Sequence, residues 1–362
     1  MKPTPKKIAA STLLAGLCTG TSMAAHAQST LTLYGILDAG ITWASNEGGH
    51  SATFLDTGVM QGNRLGFKGA EDLGGGTKAV FDLENGYQLQ NGKLGQGGAL
   101  FGRQAWVGLS SNRWGVLTAG HQYDFMCDTL ETYYTPTWSA GGYANNPLDN
   151  DRMSGQRVDN SIKYVTPTFA GFSFGAMYGF SNLAGDLNGN GRTYSFTGVY
   201  SRGNFSAGAA YTEISGTSID ISPLIGSATP VNAGGNKLRT WGAGADYQFT
   251  NVTVYGVYSQ AQYEAAQGMP SAMFRNYQGG FSYTHNAAQV YGIGYGLTTL
   301  GANKYHQLNL TYDYFLSKRT DVYVQSIIMH ATGDSATAAV ISIPASSSGN
   351  QVLLRVGMRH KF

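Results

Sequence analysis

Past its first 27 residues this chain alternates apolar with polar or small side chains at a period of two. Nowhere in that stretch does it gather the ~18–20 consecutive apolar residues that cross a bilayer as a helix. Leu31, Leu33, Leu37, Ala39, Ile41 and Trp43 share one parity against Thr32, Tyr34, Asp38 and Thr42. Val352, Leu354, Val356, Met358, His360 and Phe362 oppose Leu353, Arg355, Gly357, Arg359 and Lys361. Segments beginning at Phe172, Phe205, Trp241 and Leu308 repeat the pattern. Successive side chains of a strand point to opposite faces, so each segment has one apolar and one polar or small face. The 51 glycines, 23 tyrosines and 16 phenylalanines suit strands and turns, and only 12% of residues are charged, about half the ~25% of soluble domains. A disordered chain would be charged and poor in aromatics. A helical membrane protein is equally excluded, and the chain reads as almost wholly β.

The first 27 residues read as a secretory signal. Lys2, Lys6 and Lys7 precede a short apolar stretch from Ile8 to about Gly20, and Ala25-His26-Ala27 fits an A-x-A cleavage site. Cys18 raises a lipoprotein signal as the competitor, but the bulky Leu17 before it argues against that processing. Cleavage after Ala27 divides the chain into a signal peptide, residues 1–27, and one barrel domain, residues 28–362. It lowers Lys+Arg from 23 to 20 against 21 acids, so the basic balance belongs to the leader and implies no nucleic-acid partner. Cys127 is then the one remaining cysteine, which excludes an intramolecular disulfide and four-cysteine zinc sites.

Seven short turn signals punctuate the alternation, near Leu73–Gly76, Ser110–Gly115, Thr166–Gly171, Ser201–Asn204, Thr250–Asn251, His285–Ala287 and Ser317–Thr320. Eight longer polar stretches interleave with them, among them Asn46–Gly62, Glu213–Asn236 and Ala331–Gly349. Seven turns plus a junction of the chain ends imply eight hairpins, hence sixteen strands. At ~10 residues per tilted membrane strand these use ~160 residues. An unpaired backbone group in hydrocarbon costs several kcal/mol, so the sheet must close on itself. Sixteen strands enclose more space than side chains fill, which leaves a wet bore. The expectation is an all-β, 16-stranded antiparallel transmembrane β-barrel, its polar parity inward and its Tyr and Phe residues at the interfaces. A soluble β-sandwich is the alternative fold.

Several motifs carry a family resemblance. Thr32–Gly40 (TLYGILDAG), Arg64–Gly76 (RLGFKGAEDLGGG), Phe101–Leu109 (FGRQAWVGL), Leu148–Arg152 with Asp159–Tyr164, and the ending Arg359–Phe362 together resemble the general porins of Gram-negative outer membranes, nearest the beta-proteobacterial branch. The resemblance spans the whole mature chain. It implies short periplasmic turns, long external loops, and a third loop, between Tyr123 and Arg157, folded into the pore. It also implies assembly as a homotrimer among outer-membrane lipid and lipopolysaccharide. Phe362 would be the terminal signature read by the barrel-assembly machinery, and the channel would pass ions and small hydrophilic solutes by diffusion.

Family porins set loop carboxylates against wall arginines. By that resemblance Arg64, Arg103 and Arg157 are the wall positions, and Asp128, Glu131 and Asp124 the acids of the third loop. Parity tests the wall independently. Leu65 and Phe67 put Arg64 and Lys68 inward; Ile162 and Tyr164 put Arg157, Asp159 and Lys163 inward; Phe81 and Leu83 leave Lys78, Asp82 and Glu84 inward. Arg103 shares the parity of Val107 and Leu109 but is placed inside, because a charge facing mid-membrane lipid costs ~2–4 kcal/mol. Trp106 is then expected outside. Six basic wall residues against three acidic ones lean the lumen positive, which favours anions.

No catalytic constellation emerges. The histidines form no H-E-x-x-H pair, no complete nucleotide loop is present, and no cofactor or metal is implied, so the chain is not expected to be an enzyme. Tyr133, Tyr134, Trp138 and Tyr143 in the third loop admit a sugar-specific channel as a rival, or else pack the loop against the wall.

Overall fold

The computed structural model describes residues 29–362; the expected leader and its cleavage point lie outside the described residues. The strands are β1 (Thr30–Glu47), β2 in two collinear segments (His50–Thr57 and Arg64–Gly74), β3 (Thr77–Gly86), β4 (Gln104–Ser111), β5 (Gly115–Tyr123), β6 (Arg157–Val165), β7 (Phe172–Gly179) and β8 (Thr193–Arg202). They continue as β9 (Phe205–Ser215), β10 (Asn232–Gln248), β11 (Val252–Ala265), β12 (Ala272–Asn286), β13 (Gln289–Leu300), β14 (Asn303–Phe315), β15 (Thr320–Thr332) and β16 (Asn350–Lys361). Both segments of β2 lie antiparallel against β1, the upper through Ala39↔Thr57 and the lower through Ile36↔Arg64. Residues 58–63 are therefore an excursion within one strand, and the barrel has sixteen. A short ribbon, Ser218–Asp220, pairs with the start of β10 outside the ring count.

The ring closes where β1 meets β16, in register from Ile36↔Lys361 to Ala44↔Leu353. Gly35 and Phe362 then exchange both backbone hydrogen bonds at 3.1 Å, so the last residue completes the ladder. A Cβ on Gly35 would stand 2.3 Å from the Phe362 ring, which lies directly over that glycine. All seven short turns fall at one end of the barrel, between alternate strand pairs.

Leu31, Leu33, Ile41 and Trp43 of β1 are exposed on the outer face, whereas Asp38 and Thr42 are fully buried on the inner one. Outward tyrosines form cross-strand pairs, such as Tyr178 against Tyr194, Tyr258 against Tyr277 and Tyr291 against Tyr312, with ring centroids 5.0–5.3 Å apart. This girdle runs from β6 to β14. The strand tyrosines of β1 and β15, Tyr34 and Tyr323, instead bond lumen carboxylates.

Three local expectations change. Asn46–Gly62 is no loop: Gly48 and Gly49, both at positive φ, make a tight turn, and His50–Thr57 continues as strand with Leu55 outward opposite Ile41. Its Ser and Thr occupy alternating strand positions, which a polarity reading takes for loop. Trp106 stands opposite Asp82 and so shares the inner face, its indole Nε1 donating to Gln104 at 3.0 Å. Arg103 precedes the strand at a bend, so the parity linking it to Val107 does not hold. Asp159 leaves the lumen because a bulge sets Asp159 and Asn160 (φ 51°) against the single residue His121. His121 shares the outward face of Ala105 and Leu83, and its Nδ1 meets Asp159 at 2.5 Å.

Replacing Gly35 with Val drives its side chain into the Phe362 ring and is expected to cost roughly 1–3 kcal/mol. Urea unfolding in detergent micelles, followed by heat-modifiable gel mobility, should show an earlier midpoint than the parent chain.

Candidate pore constriction

The third external loop, residues 124–156 between β5 and β6, is the longest connection in the described chain. It opens with a one-and-a-half-turn helix, α1 (Phe125–Leu130), capped by Asp124, whose Oδ1 accepts from the backbone N–H groups of Met126 and Cys127. The other Asp124 oxygen accepts from Arg152 Nε at 2.6 Å, pinning the start of the loop to its end. A second turn, α2 (Thr135–Trp138), begins with Pro136 early in the helix, where no intrahelical N–H is needed.

The loop folds inward because the inner wall from β7 to β13 is lined by glycine where the loop touches it. A Cβ on Gly175 would meet the Phe125 ring at 2.4 Å, on Gly242 the Leu130 side chain at 2.8 Å, and on Gly244 Tyr133 at 2.7 Å. Gly292 and Gly294 make the same room for Ser139 and Thr135, at 2.7 and 2.2 Å. Phe125, Met126, Leu130, Tyr133 and Tyr134 are buried against that wall. Polar ties fix the register. Gln278 accepts from the Thr135 N–H and donates to the Ala144 carbonyl, both at 3.1 Å, and Tyr133 Oη sits 2.7 Å from Ser206 Oγ. Asp151 accepts from Ser259 Oγ at 2.5 Å. The loop aromatics thus pack: Tyr143 bonds Asp56, and Trp138 stacks near Tyr255 at 6.3 Å.

The remaining wall, β16 and β1 to β6, presents charge. Arg103 Nε donates to Glu84 at 2.6 Å, and Arg64 lies 3.6 Å from the same carboxylate. Arg157 donates Nε to the Arg103 carbonyl at 3.0 Å and stacks over the Tyr123 ring at 4.7 Å. Arg103 and Arg157 both donate to Tyr123 Oη, at 2.9 and 2.8 Å. Two guanidinium groups therefore share the buried Glu84, and the third, Arg157, pairs with no carboxylate among the described residues, a local excess of positive charge. β16 adds three more cations, Arg355, Arg359 and Lys361, legible in the alternation of its apolar residues. Arg355 is neutralised by Asp38 and Asp56, and Arg359 by Asp313 and Asp321, at 3.3 and 3.0 Å. Lys361 lines the same lumen cavity, of about 1070 Å³, as Arg64, Arg103, Arg157 and Arg359.

Of the expected loop acids, Glu131 lines this cavity with Arg64 and Arg103. Confinement in the lumen pushes its carboxyl above the ordinary range, while the Cys127 thiol and the two arginines pull it back. Asp128 instead pairs with Lys163 at 2.5 Å, which ties α1 to β6 rather than facing Arg64. Asp124 is spent on the helix cap. Lys68 lies over the Tyr34 ring at 5.0 Å and is not brought to the arginine group. Among the described residues no cluster of three or more His, Cys, Asp or Glu could hold a metal ion.

A profile of the Gram-negative porin family matches residues 10–328. The chain belongs to that family. An outer membrane porin protein of Bordetella pertussis is 30% identical, over 97% of this chain and 99% of that protein. Outer membrane porin protein 32 of Delftia acidovorans is 29% identical, over 94% and 96%. Among solved structures, an anion-selective porin from Comamonas acidovorans superposes with a TM-score of 0.76 at 26% identity, covering 92% of this chain and all of that one. OmpT of Vibrio cholerae, in its trimer form, shares the fold at TM-score 0.67 and 15% identity, over 92% and 99%. The porin is an outer-membrane diffusion channel: a closed β-barrel whose bore is narrowed by the third loop.

If wall glycines seat the loop, Gly244→Val and Gly294→Val should each unseat it. Single-channel conductance in planar bilayers is expected to rise in both variants with the barrel's heat-resistant gel mobility retained; unchanged conductance would show that the wall does not set the loop's position.

Proposed function

We propose that the porin is a general diffusion channel with a modest preference for anions, its constriction formed by Arg64, Arg103 and Arg157 on the wall and Glu131 on the loop. The observation that carries this reading is that Arg64 and Arg103 share the single carboxylate of Glu84 and Arg157 pairs with none among the described residues, while Arg355 and Arg359 are each met by two carboxylates. An anion entering the narrow bore, walled by low-dielectric protein and lipid, finds a positive field that the wall does not cancel. Ordered water bound to the charged groups would slow apolar neutral solutes, which cannot replace its hydrogen bonds. The relation to the Comamonas protein, described as anion-selective, supports the same sign.

Lys163 and Asp128 act in this reading as a strut that holds the loop, and Lys68 as wall lining below the constriction. The channel does no chemistry and takes no cofactor. Assembly as a homotrimer is favoured by the outer face: the tyrosine girdle spans β6 to β14 and is absent from the sector β15 to β5, where aliphatic residues such as Leu31, Leu33, Val107 and Val356 are exposed. That sector suits burial against neighbouring subunits, and the girdled one suits outer-membrane lipid and lipopolysaccharide. Phe362, at the closing seam, is the residue for the barrel-assembly machinery to read.

Under a KCl gradient the reversal potential of the bilayer-reconstituted porin should carry the sign of chloride preference. The triple variant Arg64→Gln, Arg103→Gln, Arg157→Gln should abolish or invert it, whereas clear cation preference in the parent overturns the reading. The raised carboxyl of Glu131 loses its charge at a higher pH than an ordinary carboxylate. Chloride preference should therefore strengthen as pH falls from neutral towards 5, and Glu131→Gln should show the stronger preference already at pH 7.

A further inference from the structure

The lumen cavity that holds the arginines is not polar throughout. The last external loop, residues 333–349, folds into the barrel mouth instead of standing clear of it. Ala338, Ala339 and Val340 are 0–4% exposed and pack with Tyr143 and Ala144 of the third loop and with Ile327 and Met329 of β15. Its backbone fixes this course: Ala338 N–H donates to the Ser348 carbonyl at 2.9 Å, Ser346 N–H to the Ala338 carbonyl at 2.8 Å, and Val340 N–H to Gln351 Oε1 at 2.8 Å. The next residues, Ile341 and Ile343, are left half-buried on the cavity wall. Val59 and Met60, from the excursion in β2, and Pro136 and Trp138, from the third loop, line the same cavity.

Apolar groups facing a water-filled bore gain nothing unless something apolar covers them, at roughly 25 cal/mol per Å² covered. A sieve for inorganic ions has no use for such a lip, and Ser346, Ser347 and Ser348 of the same loop show that polar residues are tolerated close by. Elsewhere on the wall of the same cavity stands Arg157, held by the Arg103 carbonyl and by Tyr123 rather than by a carboxylate, so its charge is open to a passing anion. The other acids on the cavity wall are engaged, Asp56 by Arg355 and Asp313 by Arg359; Glu131 repels anions but faces Arg64 and Arg103.

Resting on the anion reading, we infer that the constriction favours, among anions, organic monocarboxylates with a compact apolar body, of aromatic or branched aliphatic type. The carboxylate is steered by Arg157 and its neighbours, and the body slides over Ile341, Ile343 and Trp138. Contact is shallow, so the gain is in passage rather than in tight binding.

Bi-ionic reversal potentials on the intact reconstituted porin test this, with sodium benzoate and sodium isovalerate against sodium acetate, and chloride as reference. Benzoate and isovalerate are expected to permeate about threefold better, relative to acetate, than their free-solution mobilities allow, the factor that covering ~25–30 Å² of apolar surface supplies. Ile341→Ser with Ile343→Ser should return the order to that of mobility while leaving the chloride reversal potential and the heat-resistant trimer band unchanged. Permeation in mobility order by the parent, or an advantage that survives the double substitution, overturns the inference with chloride preference intact. Absence of chloride preference in the parent overturns the anion reading beneath it, and the inference with it.

Discussion

Every feature of this molecule follows from one constraint: in hydrocarbon a backbone N–H or C=O has no water to turn to, so each must find a partner within the chain. Half-apolar strands satisfy it only as a closed ring. The seam between β1 and β16 is where that closure is decided, and it runs to the last atom of the chain, with Gly35 and Phe362 exchanging both hydrogen bonds. Because the ring holds sixteen strands, side chains cannot fill it. The space that remains is wet, and whatever projects into it becomes the selectivity apparatus.

Glycine has two uses here. At Gly48 and Gly49 it permits the positive φ of a tight external turn. Along the inner wall of β7 to β13 its use is volume: absent side chains at Gly242, Gly244, Gly292 and Gly294 form a bed for the third loop. The loop in turn covers one side of the bore and leaves the other to the arginines. Division of labour across the lumen, packing on one wall and charge on the other, thus originates in the placement of a residue with no side chain.

The barrel was legible in the sequence because its signals are periodic and repeated: parity set the lipid face, and the short turns fixed the strand number. What parity could not give was any place where the period breaks. A bulge at His121 turns Asp159 outward, a bend before β4 frees Arg103 from the phase of Val107, and the serines and threonines of residues 50–57 are strand residues that look like loop. The constriction was partly legible. Arg64, Arg103 and Arg157 converge, but charge type alone does not say that Asp124 caps a helix or that Asp128 meets Lys163, since both depend on where the loop lies. Arg359 and Lys361 were visible as the polar parity of the final strand, but Ala331–Gly349 reads as a polar external stretch, and the packing of its Ala and Val residues into the barrel mouth emerges only in the fold.

The most direct test of a closed, water-filled bore carrying fixed positive charge is single-channel conductance as a function of salt concentration. Discrete current steps should appear in a planar lipid film and exceed proportionality to bulk conductivity at low salt, where the screening length (~30 Å at 0.01 M) outgrows the bore. Absence of steps would contradict the closed barrel, and strict proportionality down to that concentration would contradict the uncompensated charge.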